Sequence, residues 1–154
     1  MIIKTATIDD LPAILDLQKV CYLQEAEIYD TTEIPPLKET IKDLEIAFLQ
    51  GTIFLKLEEK NEIIGSVRAY ETDGTCYIGK LIVHPHFQNK GYGTQLLSSI
   101  ESLFVNCDRF ELFTGHKSSK NLYLYTKLGY REFERVFMYD GLELIFLEKN
   151  TLEF

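Results

Sequence analysis

The sequence predicts one α/β domain (α+β by the grouping of its elements) over residues 1–154, with a mixed central sheet of about seven strands flanked by about four helices. Three observations point there. Strand-like and helix-like patterns follow one another in the order β-α-α-β-β-β-α-β-α-β-β. Asp73-Gly74 and Asp140-Gly141 are hairpin signals, which join antiparallel strands. Leu81–Thr94 runs from an apolar strand through a glycine loop into an amphipathic helix, the start of a β-α-β crossover that adds a parallel strand.

Ile2–Thr7 reads as the first strand. Asp9 or Asp10 can cap the next helix, with Pro12 in its first turn, and Leu11, Ile14, Leu15 and Leu17 carry it to about Cys21. Tyr22–Pro36 looks less regular and ends in Pro35-Pro36, which breaks a helix. Leu37, Ile41, Leu44 and Phe48 recur at helical spacing, and Gly51 closes that helix. Thr52–Glu58 and Ile63–Tyr70 are strands two and three. Thr75–His84 is the fourth, with Gly79 inside it; a glycine there marks a bulge or a close approach. Leu96, Leu97, Ile100, Leu103 and Phe104 form one apolar stripe on the helix after the glycine loop. Arg109–Thr114 is a fifth strand, Ser118–Leu128 a short helix ended by Gly129, and Tyr130–Tyr139 with Leu142–Leu147 a final hairpin.

Composition narrows the function. An apolar fraction of 45% and a charged fraction of 26% are ordinary for a globular domain. No apolar run approaches the ~20 residues of a membrane helix, and Met1–Ala6 lacks a signal peptide's layout, so the expected location is cytoplasmic. A net charge of −8 argues against nucleic-acid or anionic-membrane partners, which need a basic face. Lys80, Lys90, Lys117, Lys120 and Lys127 nevertheless cluster in or near the glycine loop and the Ser118-Ser119 segment. Cys21, Cys76 and Cys107 are odd in number with no CxxC spacing, so neither a disulfide framework nor a metal site is expected.

The glycine loop is an anion cradle in waiting. Backbone N–H groups at a helix start are unpaired and carry partial positive charge, which suits phosphate. A dinucleotide fingerprint needs a third small residue where Leu96 stands and should follow the first strand rather than the fourth. A P-loop needs its lysine after the glycines, whereas Lys90 precedes them.

Gln88-Asn89-Lys90-Gly91-Tyr92-Gly93 fits Q/R-x-x-G-x-G/A, Leu81–Pro85 supplies a strand-then-proline lead-in, and Leu124-Tyr125-Thr126-Lys127-Leu128-Gly129-Tyr130 looks like L-Y-x-K-x-G-F/Y. Thr5–Ile14 adds a matching opening strand and helix. Together these resemble the GCN5-related N-acetyltransferase (GNAT) family over essentially the whole chain, and the element order agrees. The resemblance implies acetyl-CoA as co-substrate. Gln88, Asn89, Lys90, Gly91, Tyr92, Gly93 and Thr94 would receive the diphosphate, and the backbone of Leu81, Ile82 and Val83 would pair with the pantetheine arm as with an extra strand. Strands four and five would splay apart at that point. The Val83 N–H would face the oxyanion, and Tyr125 would protonate the departing thiolate. The asparagine that many members place seven residues before this tyrosine is Ser118 here, while Asn121 lies one turn before it; either could touch the pantetheine.

The implied activity is N-acetylation of a primary amine on a small molecule or peptide by direct attack on the thioester. The alternative is a noncatalytic acyl-CoA-binding sensor or interaction module. The glutamate some members carry early in strand four is Tyr77 here, leaving Glu25, Glu27, Glu111 and His116 as candidate bases. Tyr22, Glu25, Glu27 and Tyr29 would face the acceptor, with Arg68 available for an acceptor carboxylate. Homodimers are common in the family, and the final hairpin or an edge strand offers a surface for one.

Overall fold

Antiparallel hairpins build most of the sheet in a computed structural model that describes residues 2–139 and 141–151. β1 (Ile2–Thr5), β2 (Ile53–Glu59), β3 (Glu62–Thr72) and β4 (Thr75–Val83) form an antiparallel meander. β5 (Arg109–Gly115) joins β4 in parallel. β7 (Leu142–Asn150) inserts antiparallel between β5 and β6 (Arg131–Tyr139), giving the order β1-β2-β3-β4-β5-β7-β6. The seven-stranded mixed sheet is the one expected. Of the final turn, Asp140 lies outside the described residues.

Among the described residues five helices cover the sheet: α1 (Leu11–Tyr29), α2 (Pro35–Lys38), α3 (Ile41–Leu49), α4 (Tyr92–Ser102) and α5 (Ser119–Lys127). Two departures from expectation matter. The first helix runs two turns past Cys21, because Cys21, Tyr22, Glu25, Ala26 and Tyr29 continue the i, i+3/i+4 spacing of Ile14, Leu17 and Gln18 before them. Asp30, left-handed at φ 52°, stops it, and the double proline acts only later. The expected second helix is split. Thr40 opens α3 with a capping box to Asp43, and Glu39 lies extended between the pieces.

α4 buries Leu96, Leu97 and Ile100 completely against β2, β3 and β4. Each contributes about 1.5–3 kcal/mol. Leu11, Ile14, Leu15 and Leu44 of α1 and α3 pack in a separate cluster around Phe54. Consecutive residues of β2, Phe54 and Leu55, therefore serve opposite cores, and the sheet is covered on both faces. All three cysteines are free and buried.

The parallel pair is short. β4 and β5 pair only over Thr75–Tyr77 and Arg109–Glu111, then separate. One extra residue in β4 bulges between Gly79 and Ile82, opposite Ser66–Arg68 of β3. The left-handed residue in that bulge is Lys80, at φ 51°, beside rather than at the glycine.

Candidate active site

The parting of β4 and β5 opens two cavities. The larger, of about 870 Å³, runs between the glycine loop and the α1 and α5 flanks. The smaller, of about 340 Å³, lies between the separated strands, beneath α1 and the α2 segment. Tyr22, Glu25, Leu81 and Asn121 line both, so the cavities meet there.

Gly91 caps α4 at φ 84°, a left-handed conformation that favours glycine. The first intrahelical bond of α4 runs from Gln95 N–H to the Gly91 carbonyl, which leaves the N–H groups of Tyr92, Gly93 and Thr94 at the wall of the larger cleft. Gly93 is different. A Cβ there would meet only Leu124 Cδ2, at 3.4 Å, and its φ is ordinary. Neither backbone nor packing demands glycine at 93. A ligand approaching the helix start closely would, and the unpaired N–H groups there suit an anion. Lys117, Lys120 and Lys127 line the same cleft. Lys90 instead stands 5.6 Å from the Phe87 ring centroid, outside the lining.

Val83 presents its backbone to the gap. It sits opposite Gly65 in a pair that exchanges no hydrogen bonds, since the neighbouring bond runs from His84 N–H to the Ile64 carbonyl at 2.8 Å. The N–H and C=O of Val83 therefore face away from β3. The carbonyl accepts from Gln88 Nε2 at 2.9 Å and from Cys21 Sγ at 3.3 Å. Gln88 also donates to Gln24 Oε1 at 3.1 Å, so it ties the loop to strand and helix. Leu81 and Ile82 line the cleft beside Val83, as do Asn89 and Gly91.

Tyr125 is 5% exposed, packs 6.1 Å from the Tyr130 ring, and lines the smaller cavity. Burial, then the Glu25 carboxylate, pushes its phenol well above the usual tyrosine range, so it stays protonated. Asn121 donates to Thr114 Oγ1 at 3.2 Å.

Glu25 anchors a chain of hydroxyls that the sequence did not reveal. Lys117 N–H donates to Tyr29 Oη at 2.9 Å. Ser118 Oγ donates to Glu25 Oε2 at 2.5 Å. The remaining 3.0 Å bond between the hydroxyls then runs from Tyr29 to Ser118. Ser118, 2% exposed, has its one proton committed to Glu25. Gly115 makes the chain possible: a Cβ there would lie 2.0 Å from Tyr29 Oη. Gly115→Ala should expel the Tyr29 ring and destabilise the fold by about 1–3 kcal/mol, read by urea denaturation. The only sequence signal was a glycine closing a strand.

Other candidates fall elsewhere. Arg68 lies outside both cavity linings. At 9% exposure it donates to Glu39 at 3.1 and 3.3 Å and to Gln18 Oε1 at 2.5 Å, over the Phe54 ring. A carboxylate already holds it, so the structure does not bring it to an acceptor. Glu27 is exposed on the rim of the larger cleft. Glu111 pairs with Arg109 at 2.9 Å. His116 Nδ1 accepts from Glu143 N–H at 2.9 Å. Neither of these last two lines a cavity.

The buried acids impose a pH dependence. Burial pushes the thiols of Cys21 and Cys76 up to about 12, and it is the main cause that raises the phenols of Tyr22, Tyr125 and Tyr130. Folded values above unfolded ones give stability that is complete at low pH and lost as pH rises. Unfolding free energy should fall above about pH 8.5 and more steeply above about pH 10, checked by urea titration from pH 7 to 11.

A mixed sheet that splays after a short parallel pair, with a helix N-terminus at the mouth of the splay, is the arrangement that the GNAT resemblance implied. Residues 11–130 match the Acetyltransferase (GNAT) family, and the chain belongs to that family, whose members take acetyl-CoA as acetyl donor. The chain is similar to the PaiA N-acetyltransferase of Thermoplasma acidophilum in complex with coenzyme A (TM-score 0.78, 16% identity, 97% of this chain and 99% of that one). It is also similar to YncA of Salmonella typhimurium with its cofactor acetyl-CoA (TM-score 0.76, 22% identity, 100% and 95%). A curated relative, UPF0157 protein YqkA of Bacillus subtilis (strain 168), is 28% identical over 131 residues. That match covers 85% of this chain but only 37% of the relative's length. Among the described residues no helix is long and apolar enough to cross a membrane.

Proposed function

We propose that the protein is an acetyl-CoA-dependent N-acetyltransferase acting on a primary amine of a small molecule or peptide. The observation that carries this reading is the meeting of the two cavities at Leu81, with Glu25 on one side and Tyr125 beside it. The larger cleft holds the donor, its diphosphate on the N–H groups of Tyr92–Thr94 and its cationic rim at Lys117, Lys120 and Lys127. The arm lies along Leu81–Val83. Asn121, whose carbonyl oxygen has no partner among the described residues, is better suited to the pantetheine than Ser118, which is 2% exposed and has its proton committed to Glu25.

The acceptor enters from the smaller cavity. An ammonium group near pKa 10.4 must lose a proton before it attacks. Glu25 takes it on the oxygen not engaged by Ser118, and the hydroxyl chain holds that carboxylate in place. The amine nitrogen bonds the thioester carbonyl carbon while the Val83 N–H meets the oxyanion. The carbon–sulfur bond then breaks: Tyr125 gives its proton to the thiolate, and the second proton of the attacking nitrogen passes to the resulting phenolate, leaving the neutral amide and the free thiol. A panel of amines incubated with protein and acetyl-CoA, with detection of free thiol, tests this. Amine-dependent release supports it. No release from any amine, with a thermal shift on acetyl-CoA intact, means a binding module instead.

A further inference from the structure

Lys80 is a cation without a mate at the smaller cavity. It lines the smaller cavity and, among the described residues, makes no ion pair or hydrogen bond, in a chain with 24 acidic and 16 basic residues. Its left-handed backbone in the β4 bulge is a conformation that non-glycine residues adopt only at a cost. The nearest carboxylate its charge feels is Glu39, which Arg68 already holds. Burial and the Arg68 charge both disfavour the ammonium and lower its pKa. An arriving anion would relieve both.

The rest of the cavity says what carries that anion. Ile34, Pro35, Leu112, Met138 and Leu144 give it an apolar wall. Its volume is at the small end of the ~300–1,000 Å³ of ligand sites, too small for a folded partner. Glu25 faces the amine, and Lys80 directly precedes Leu81, where the cavities meet. Cation and carboxylate thus line the same small cavity, one for the carboxylate and one for the amine of a single small acceptor. We propose that the acceptor is a free α-amino acid with an apolar side chain, whose carboxylate binds Lys80. This rests on the N-acetyltransferase reading and names its substrate class.

Initial rates of CoA release from L-phenylalanine, L-leucine, phenylalaninamide, phenethylamine and spermidine test it, in wild type, Lys80→Gln and Lys80→Arg. In wild type, kcat/KM for phenylalanine should exceed that for phenethylamine and for the amide by at least about tenfold, the worth of one charge-assisted bond. Lys80→Gln should collapse the phenylalanine-to-phenethylamine ratio by a similar factor through KM, and Lys80→Arg should restore part of it. The wild-type ranking is decisive even if a variant fails to fold. Turnover of spermidine or phenethylamine equal to or above that of the amino acids overturns this inference alone. An unchanged ratio in folded Lys80→Gln does the same. Release of CoA from no acceptor overturns the transferase reading and this inference with it.

Discussion

Tyr125→Phe should lower kcat by ~10²–10⁴ while acetyl-CoA binding and the fold persist. The phenol is held protonated by burial and by Glu25, at the wall of the smaller cavity. Among the described residues its hydroxyl bonds no protein group, so Phe removes the proton donor without orphaning a partner. The ring keeps its place against Tyr130, 6.1 Å away. Steady-state CoA release gives kcat, and the thermal shift on acetyl-CoA gives binding. An unchanged kcat at every pH removes Tyr125 from the chemistry. A lost thermal shift would assign it to binding instead.

Gly93→Ala should separate stability from function in opposite directions. The added Cβ finds ordinary contact with Leu124 at 3.4 Å, and the φ suits any residue. Alanine in a helix is better than glycine by up to about 1 kcal/mol, so the free protein should be as stable or slightly more stable. The same methyl would stand where the proposed diphosphate approaches the unpaired N–H groups of α4. Loss of one charge-assisted bond weakens affinity about 10- to 100-fold. Denaturation and acetyl-CoA titration, run side by side, read the two effects. Gly91 would not give so clean an answer, because its φ of 84° strains any side chain.

The elements of the proposed donor half were legible because they are local. The strand, the left-handed Gly91 and the start of α4 lie within one short stretch, Leu81–Thr94, and Tyr125 lies in one short motif. The hydroxyl chain was not legible. Tyr29, Ser118 and Glu25 come from the end of α1 and the start of α5, 89 to 93 positions apart. Only the fold brings them together, and it needs α1 to continue past Cys21, where acidic residues and the coming prolines masked the helical spacing. Arg68 misled for the same reason. Its partner Glu39 sits in the break between α2 and α3, which the apolar spacing alone read as one continuous helix. The bulge was anticipated at Gly79, but the strained residue is Lys80, and a lysine carries no sequence mark of a left-handed backbone.

The central claim is that the donor lies along Val83 with its diphosphate on the start of α4. Amide nitrogen–proton NMR spectra of the 17.9 kDa protein, recorded during titration with acetyl-CoA, test it most directly. The account predicts that the largest shifts fall on the N–H groups of Tyr92, Gly93, Thr94 and Val83. Saturable binding whose shifts leave those four amides unmoved and gather elsewhere would contradict it.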